Sequence, residues 1–527
     1  MTPSARRSGI LIPLFSAPSS ASWGIGDIGD IAHLSRWLHD AGQRILQLLP
    51  LNEMAPGTQS PYSAMSAMAI DPIFIQVSGV DEFTAAGGEA ALTSDDRAAL
   101  DEARRSRRVE YGLVRPVKER ALRYAFEQFL AAEWRSASPR AEALQRYIDA
   151  EGWWLSDYAL FRALHDQHGG CAWTDWPDAV RSREPHALAS ARAQLETSVL
   201  FYQYLQWIAG EQWATARRAA RGHGVELFGD LPFMVDLHSA DVWMHQSQFH
   251  LDRSVGVPPD AFSATGQDWG MPPYNWEALA AHDFDWLRAR ARRSAALFDG
   301  YRVDHLVGFY RTYSRPRVGA GEPAFSPADE PQQRTQGERV LGIFREPGAE
   351  IIAEDLGVVP DFVRRSLDAL DVPGFKVFRW ERQWHDEGQP FRDPADYPRV
   401  SVATSGTHDT EPLIQWWDEA PDEERAAMAA VPSVRAACGN ADLANSPYCP
   451  VVRDALLETL FASGSDIVLF PVQDVFGWRD RINEPATVHE SNWSYRLPWP
   501  VDTLDAQPDA VERGTALHAW AERHRRL

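Results

Sequence analysis

The chain has 527 residues, 44% of them hydrophobic, enough for one large core with insertions or for two to three domains. Its 74 acidic and 52 basic residues give a formal charge of −22, which repels nucleic acid and anionic membranes, disfavours polyphosphates and points to a neutral or cationic partner. No apolar run approaches the roughly 20 residues of a membrane span, and three cysteines without metal-ligand spacing, Cys171, Cys438 and Cys449, suit a reducing, cytoplasmic compartment.

Arg6-Arg7, GILIPLF and SAPSSAS have the outline of a twin-arginine or secretory leader, but the apolar run is short and Pro13 interrupts it. It reads better as a first strand. Gly24, Gly26 and Gly29 spell a G-x-G-x-x-G, yet they stand too far from that strand for a dinucleotide fingerprint and no second βαβ half follows. A tight loop is the better reading, followed by a helix carried by Ile31, Leu34, Trp37, Leu38 and Ala41.

Eight short apolar runs alternate with helical stretches: 10–14, 44–51, 225–233, 300–305, 350–356, 374–378, 399–409 and 466–474. Eight is the number that closes a (β/α)8 TIM barrel. We expect one catalytic barrel over residues 1–527 with three insertions: 78–200, helical, after the second strand; 234–285, rich in Pro, Gly and aromatics, after the third; and 410–460 after the seventh. Too little chain follows the last strand for a C-terminal β-sandwich. Most of the 21 tryptophans must be packing residues, including the pairs Trp153-Trp154 and Trp416-Trp417 in helical stretches.

In GYRVDHLVGF, strand alternation puts Arg302 and Asp304 on one face and Tyr301 and Val303 on the other. Charges on an apolar strand need partners or an open site. A structural ion pair at the strand end is the competing reading. Acidic residues at the ends of the fourth, fifth and seventh runs should converge at the carboxyl end of a barrel, where Asp304 is joined by Glu354 or Asp355 and by Asp409 beside His408. Such carboxylates serve either a divalent-metal cage or acid/base and nucleophilic work on a glycosidic bond. Arg302, His305 and His408 are cations that compete with a metal, so the second use is favoured.

In order along the chain, WGIGDIGD (23–30), SPYSAMSA (60–67), FGDLPFMV (228–235), GVPPDAFSATGQDWG (256–270), RVDH (302–305), AEDLG (353–357), PGFKV (373–377), GTHDT (406–410), QD (473–474) and NW (492–493) resemble the amylomaltases or disproportionating enzymes, the 4-alpha-glucanotransferases of glycoside hydrolase family 77 in the α-amylase clan. The resemblance implies that Asp304 is the nucleophile, Glu354 the general acid/base and Asp409 the transition-state stabiliser, supported by Arg302 and His408. It implies substrate contacts from Tyr62, Asp230, Trp269 and His305, transfer between maltodextrins or other α-1,4-glucans, and no metal or organic cofactor; a monomer or homodimer is expected. A clan hydrolase and a non-catalytic glucan binder are the alternatives. The loop at 251–276 departs from the family: Ala261 stands where tyrosine is common and Met271 where asparagine is, while Pro258, Pro259, Phe262, Trp269 and Tyr274 should give it stiffness and aromatic cover.

Overall fold

The structure is a computed structural model and describes residues 6–259, 266–318, 321–485 and 487–527. Eight strands, β1 (Arg7–Leu11), β2 (Ile45–Gln47), β3 (Glu226–Leu231), β4 (Gly300–Val303), β5 (Glu350–Ala353), β6 (Gly374–Val377), β7 (Ser401–Thr404) and β8 (Ile467–Pro471), pair in parallel and close into a barrel. Each pairs with its neighbours in sequence, and β1 closes on β8. All eight apolar runs supply a strand, but the runs overshoot. Pro13, which has no N–H to give a ladder, ends the first one, and Leu14 turns into a 3₁₀ segment. Gly406, whose amide bonds the Thr404 hydroxyl, opens the loop after the seventh.

Ile45, Phe228, Ile352, Phe375, Val402, Ile467 and Leu469 form a separate apolar cluster inside the barrel. Period-two alternation continues these inward positions to the charged mouth within β3, where Phe228 leads to Asp230, while Glu354 lies just past the end of β5. On β4 the inward place level with this cluster belongs to Gly300, where a Cβ would lie 2.6 Å from the Phe228 ring, and the next inward residue is Arg302. The outward residues Tyr301 and Val303 are fully buried under the surrounding helices.

Between β2 and β3 the chain builds the helices Ser94–Arg105, Tyr111–Phe129, Pro139–Gln167 and Pro185–Gln194 before Glu196–Gly222 returns to the barrel. Between β7 and β8 lie Leu413–Glu419, Asp422–Ala430, Pro432–Cys438 and Pro450–Phe461. The stretch after β3 holds more regular structure than its composition suggests. Arg253–Val257 and Gln267–Asp268 are antiparallel strands that join Thr312–Pro316 and Ala324–Ser326, from the segment after β4, in a small four-stranded sheet. Trp154 and Trp417 are buried as expected, but Trp153 is exposed.

The glycines at 24–29 make a packed loop. A Cβ on Gly26 would sit 2.0 Å from the Leu14 carbonyl oxygen, and the Asp27 carboxylate accepts from the Gly29 amide at 3.0 Å, the kind of donor a phosphate would need. The last helix, Pro508–Arg523, closes the ring against helix Ile31–Asp40, where the Trp37 indole donates to the Ala510 carbonyl at 3.2 Å.

Candidate active site

Arg302 is the hub. Its Nη1 donates to both oxygens of Asp230 at 2.9 and 2.8 Å, and its Nη2 lies 2.7 Å from Asp304 Oδ1. The adjacent strands β3 and β4 set this up, because Asp230 and Arg302 are direct ladder partners. Burial alone would lower the guanidinium pKa, but Asp230 and Asp304 outweigh it and raise it well above its ordinary value, so Arg302 stays a cation. Asp230 also accepts from the Tyr62 hydroxyl at 2.9 Å, and its side chain has no exposed surface. Asp304 differs in being 30% exposed at the mouth.

Glu354 is fixed by two backbone donors, His305 N–H to Oε2 at 2.8 Å and Leu356 N–H to Oε1 at 2.9 Å. Both bonds and Arg302 favour the carboxylate, yet burial, the largest influence, with the Asp304 charge added, pushes Glu354 up to about 7. Its neighbour Asp355 turns away from the mouth: it accepts from the Phe375 amide on β6 at 2.8 Å and lies 3.5 Å from Arg364. The choice that sequence alternation leaves open is therefore made by geometry, with Glu354 at the mouth.

On the opposite side, His408 Nε2 lies 3.2 Å from Asp409 Oδ2 and 3.1 Å from the Tyr62 hydroxyl, so both residues of that pair reach the site. Burial would raise Asp409, but His408, hydrogen bonds from His408 and Asn483, and Arg302 hold it well below the usual carboxylate range. Burial would lower His408, but Asp409 raises it. The Tyr62 ring stacks on His408 with centroids 5.3 Å apart. Burial and Asp230 raise the Tyr62 phenol well above its ordinary value, which keeps it a donor.

Two expectations need correction. His305 is not a cation: burial lowers it to about 4 against the pull of Asp304, and it is the His305 backbone that serves Glu354. Its φ of 45° is the left-handed turn that aims this amide, and its ring packs edge-on against Trp269 at 4.9 Å. Trp269 is held as firmly as its loop's composition suggests. Its amide donates to the Val255 carbonyl at 2.9 Å and its indole to Gln267 at 3.0 Å, so it forms a fixed wall. Tyr274 gives no cover to the mouth, being buried with its hydroxyl donating to the Phe233 carbonyl. Ala261 and Phe262 lie outside the described residues.

The sequence reading missed the layer behind Asp409. Asn483 Nδ2 donates to Asp409 Oδ1 at 2.7 Å, and Arg481 Nη2 donates to the Asp409 carbonyl at 3.0 Å. Trp493 closes the aromatic cluster, its ring 5.7 Å from both Tyr62 and His408. Asn483 lies in irregular chain after β8 with no periodic signal, whereas Trp493 falls in the NW segment noted above without a role.

This arrangement holds one carboxyl that shares protons near neutrality, one ionised carboxylate, and a third against a guanidinium at an open mouth. Separated carboxyl pKa values are the mark of paired acid and base roles. Comparison with known proteins agrees with that chemistry. A family model for 4-alpha-glucanotransferase, glycoside hydrolase family 77, matches residues 12–502. The chain is 34% identical over 541 aligned residues to the 4-alpha-glucanotransferase of Thermus thermophilus, covering 99% of each, and 31% identical to the chloroplastic/amyloplastic enzyme of Solanum tuberosum, covering 95% of this chain and 84% of that one. The amylomaltase of Streptococcus agalactiae, solved with acarbose, superposes with a TM-score of 0.81 at 26% identity over 99% of both chains. The chain belongs to the 4-alpha-glucanotransferases of glycoside hydrolase family 77 and is an enzyme of the amylomaltase type.

Proposed function

We propose that the chain moves α-1,4-glucan segments between maltodextrins by retaining double displacement, with Asp304, Glu354 and Asp409 as its catalytic carboxylates. Protonated Glu354 gives its proton to the glycosidic oxygen as that bond to the anomeric carbon breaks, and Asp304 bonds to the carbon as an ester. The shortened glucan leaves with the proton. A second glucan then presents its 4-hydroxyl; Glu354, now a carboxylate, takes that proton, the hydroxyl oxygen bonds to the anomeric carbon, and the ester breaks to restore Asp304. Asp409, held ionised by His408 and Asn483, stabilises the positive charge and accepts from sugar hydroxyls.

The observation that carries this reading is the opposed titration of two carboxyls at one mouth, Glu354 raised to about 7 and Asp409 lowered. Arg302 holds Asp304 in position and Asp230 keeps Arg302 in place, so in this reading Asp230 acts through Arg302 rather than by touching sugar. Tyr62, Trp269, His305 and His408 form the apolar and donor walls of the sugar subsite. The three free cysteines, Cys171, Cys438 and Cys449, fit a reducing cytoplasm.

Incubation of the purified protein with maltotriose tests this. We expect glucose together with a ladder of longer maltodextrins, unaffected by EDTA. Shorter sugars alone would indicate a hydrolase, no product a binding protein, and loss of activity on chelation a metal site.

A further inference from the structure

Of the 21 tryptophans, the exposed ones are Trp153, Trp380 and Trp384, at 43%, 45% and 60%. Two of the three share the segment between β6 and β7. Strand β6 lies between β5, which leads to Glu354, and β7, which leads to His408 and Asp409, so this segment leaves the barrel at the catalytic mouth.

The segment is a braced hairpin. At its base the Arg379 guanidinium donates to the Glu411 carboxylate and carbonyl, both at 2.8 Å, and to the Thr410 hydroxyl at 3.2 Å, which ties it to the turn that follows Asp409. Its arms pair through Gln383 N–H to the Pro390 carbonyl and Arg392 N–H to the Glu381 carbonyl, both at 2.9 Å. Arg382 packs over the Phe391 ring at 3.8 Å and pairs with Glu424 at 2.8 Å. Trp384 stands at the tip, beside a turn closed by Asp386 N–H to the Gln383 carbonyl at 3.0 Å.

Folding does not use these indoles, since burying them would remove large apolar faces from water and the hairpin leaves them out. The tip around Trp384 is polar: Gln383, His385, Asp386 and Glu387 flank it. A rigid aromatic face rimmed by hydrogen-bonding side chains matches a pyranose, which presents a C–H face to the ring and hydroxyls to the rim. The net charge of −22 argues against an anionic occupant.

We propose that Trp384, assisted by Trp380, forms an outlying α-glucan subsite that takes glucose units of long chains beyond those held at the carboxylates. Trp384 lies seven residues past Val377, the end of β6, so the chain can carry it at most ~25 Å from the barrel rim. Short oligosaccharides engage it less than long ones do. The proposal rests on the glucan reading of the site.

The test is the ratio of kcat/KM for maltoheptaose to that for maltotriose in the wild type, W384A, W384F and W153A. Trp153, also exposed but on the helical insertion, is a control for loss of a surface indole. We expect the ratio to fall roughly five- to tenfold in W384A, chiefly through KM for the longer donor, to recover largely in W384F, and to stay unchanged in W153A. An unchanged ratio in W384A, an equal fall for both donors, or a change in sedimentation with the ratio intact would overturn the subsite. Absence of transfer from maltotriose by the wild type would instead count against the glucanotransferase reading.

Discussion

Glu354 accepts two amide hydrogen bonds, which favour its charged form, and still titrates near 7 because burial outweighs them. In the proposed mechanism it begins protonated, so it should give kcat/KM an alkaline limb close to pH 7, measured on maltotriose. A limb near the ordinary glutamate value would remove it from that role. The same shift bears on stability: between the unfolded value near 4.5 and about 7 the folded chain holds a proton the unfolded chain has lost, so stability falls as pH rises through this window. Glu354→Gln should therefore unfold at higher temperature than the wild type at pH 8, with a gain on the order of 1–3 kcal/mol that shrinks toward pH 4.5. Asp409 has the opposite sign, contributing stability above the ordinary aspartate range that is lost as pH falls below it. Asn483→Ala removes a donor that keeps Asp409 ionised and oriented. We expect kcat to drop roughly ten- to hundredfold with a smaller change in KM, and the acid limb of the pH profile to move upward. An unmoved limb would make Asn483 a purely structural partner.

At the scale of elements, the barrel depends on how its inner layer is shared among strands. Gly300 yields its place to the Phe228 ring, so Gly300→Ala should cost about 1–3 kcal/mol in urea unfolding, and Phe228→Leu in the same chain should recover part of it. A neutral Gly300→Ala would mean the layer has slack. The strands were legible because each is a short apolar run ending in polar residues, and the period of two places Arg302 and Asp304 together without further information. Alternation could not tell Glu354 from Asp355, since a strand that ends at Ala353 leaves the next residues free to turn either way. The small sheet over β3 and β4 was not legible, because its strands, such as Gln267–Asp268 and Ala324–Ser326, are two to five residues long and are held by partners distant in sequence. The neutrality of His305 and the contact between Asn483 and Asp409 depend on burial and long-range packing, which no local pattern encodes.

For the whole molecule, Arg526 ties the last helix to the start of β1 and to the chain leading into β8, at the end of the barrel away from the mouth. Arg526 is fully buried and donates to the carbonyls of Phe461, Ser463, Ser465 and Asp466 at 2.7 to 3.2 Å, while burial and nearby Arg6 bring it down to about 9. Arg526→Met should leave these carbonyls without their donor and lower stability by about 2–4 kcal/mol in urea unfolding, with kcat on maltotriose little changed because the catalytic mouth lies at the other end of the strands. The barrel thus separates what holds it closed from what reacts. In the proposed mechanism Asp304 carries the glucan while Glu354 supplies and removes the proton. Fluoride leaves without protonation, so Glu354→Gln given an α-maltotriosyl fluoride should still load Asp304 but fail to discharge it. Mass spectrometry of the digested protein should find one maltotriosyl group on the peptide that contains Asp304; an adduct on another carboxylate, or none while fluoride is released, would contradict the account.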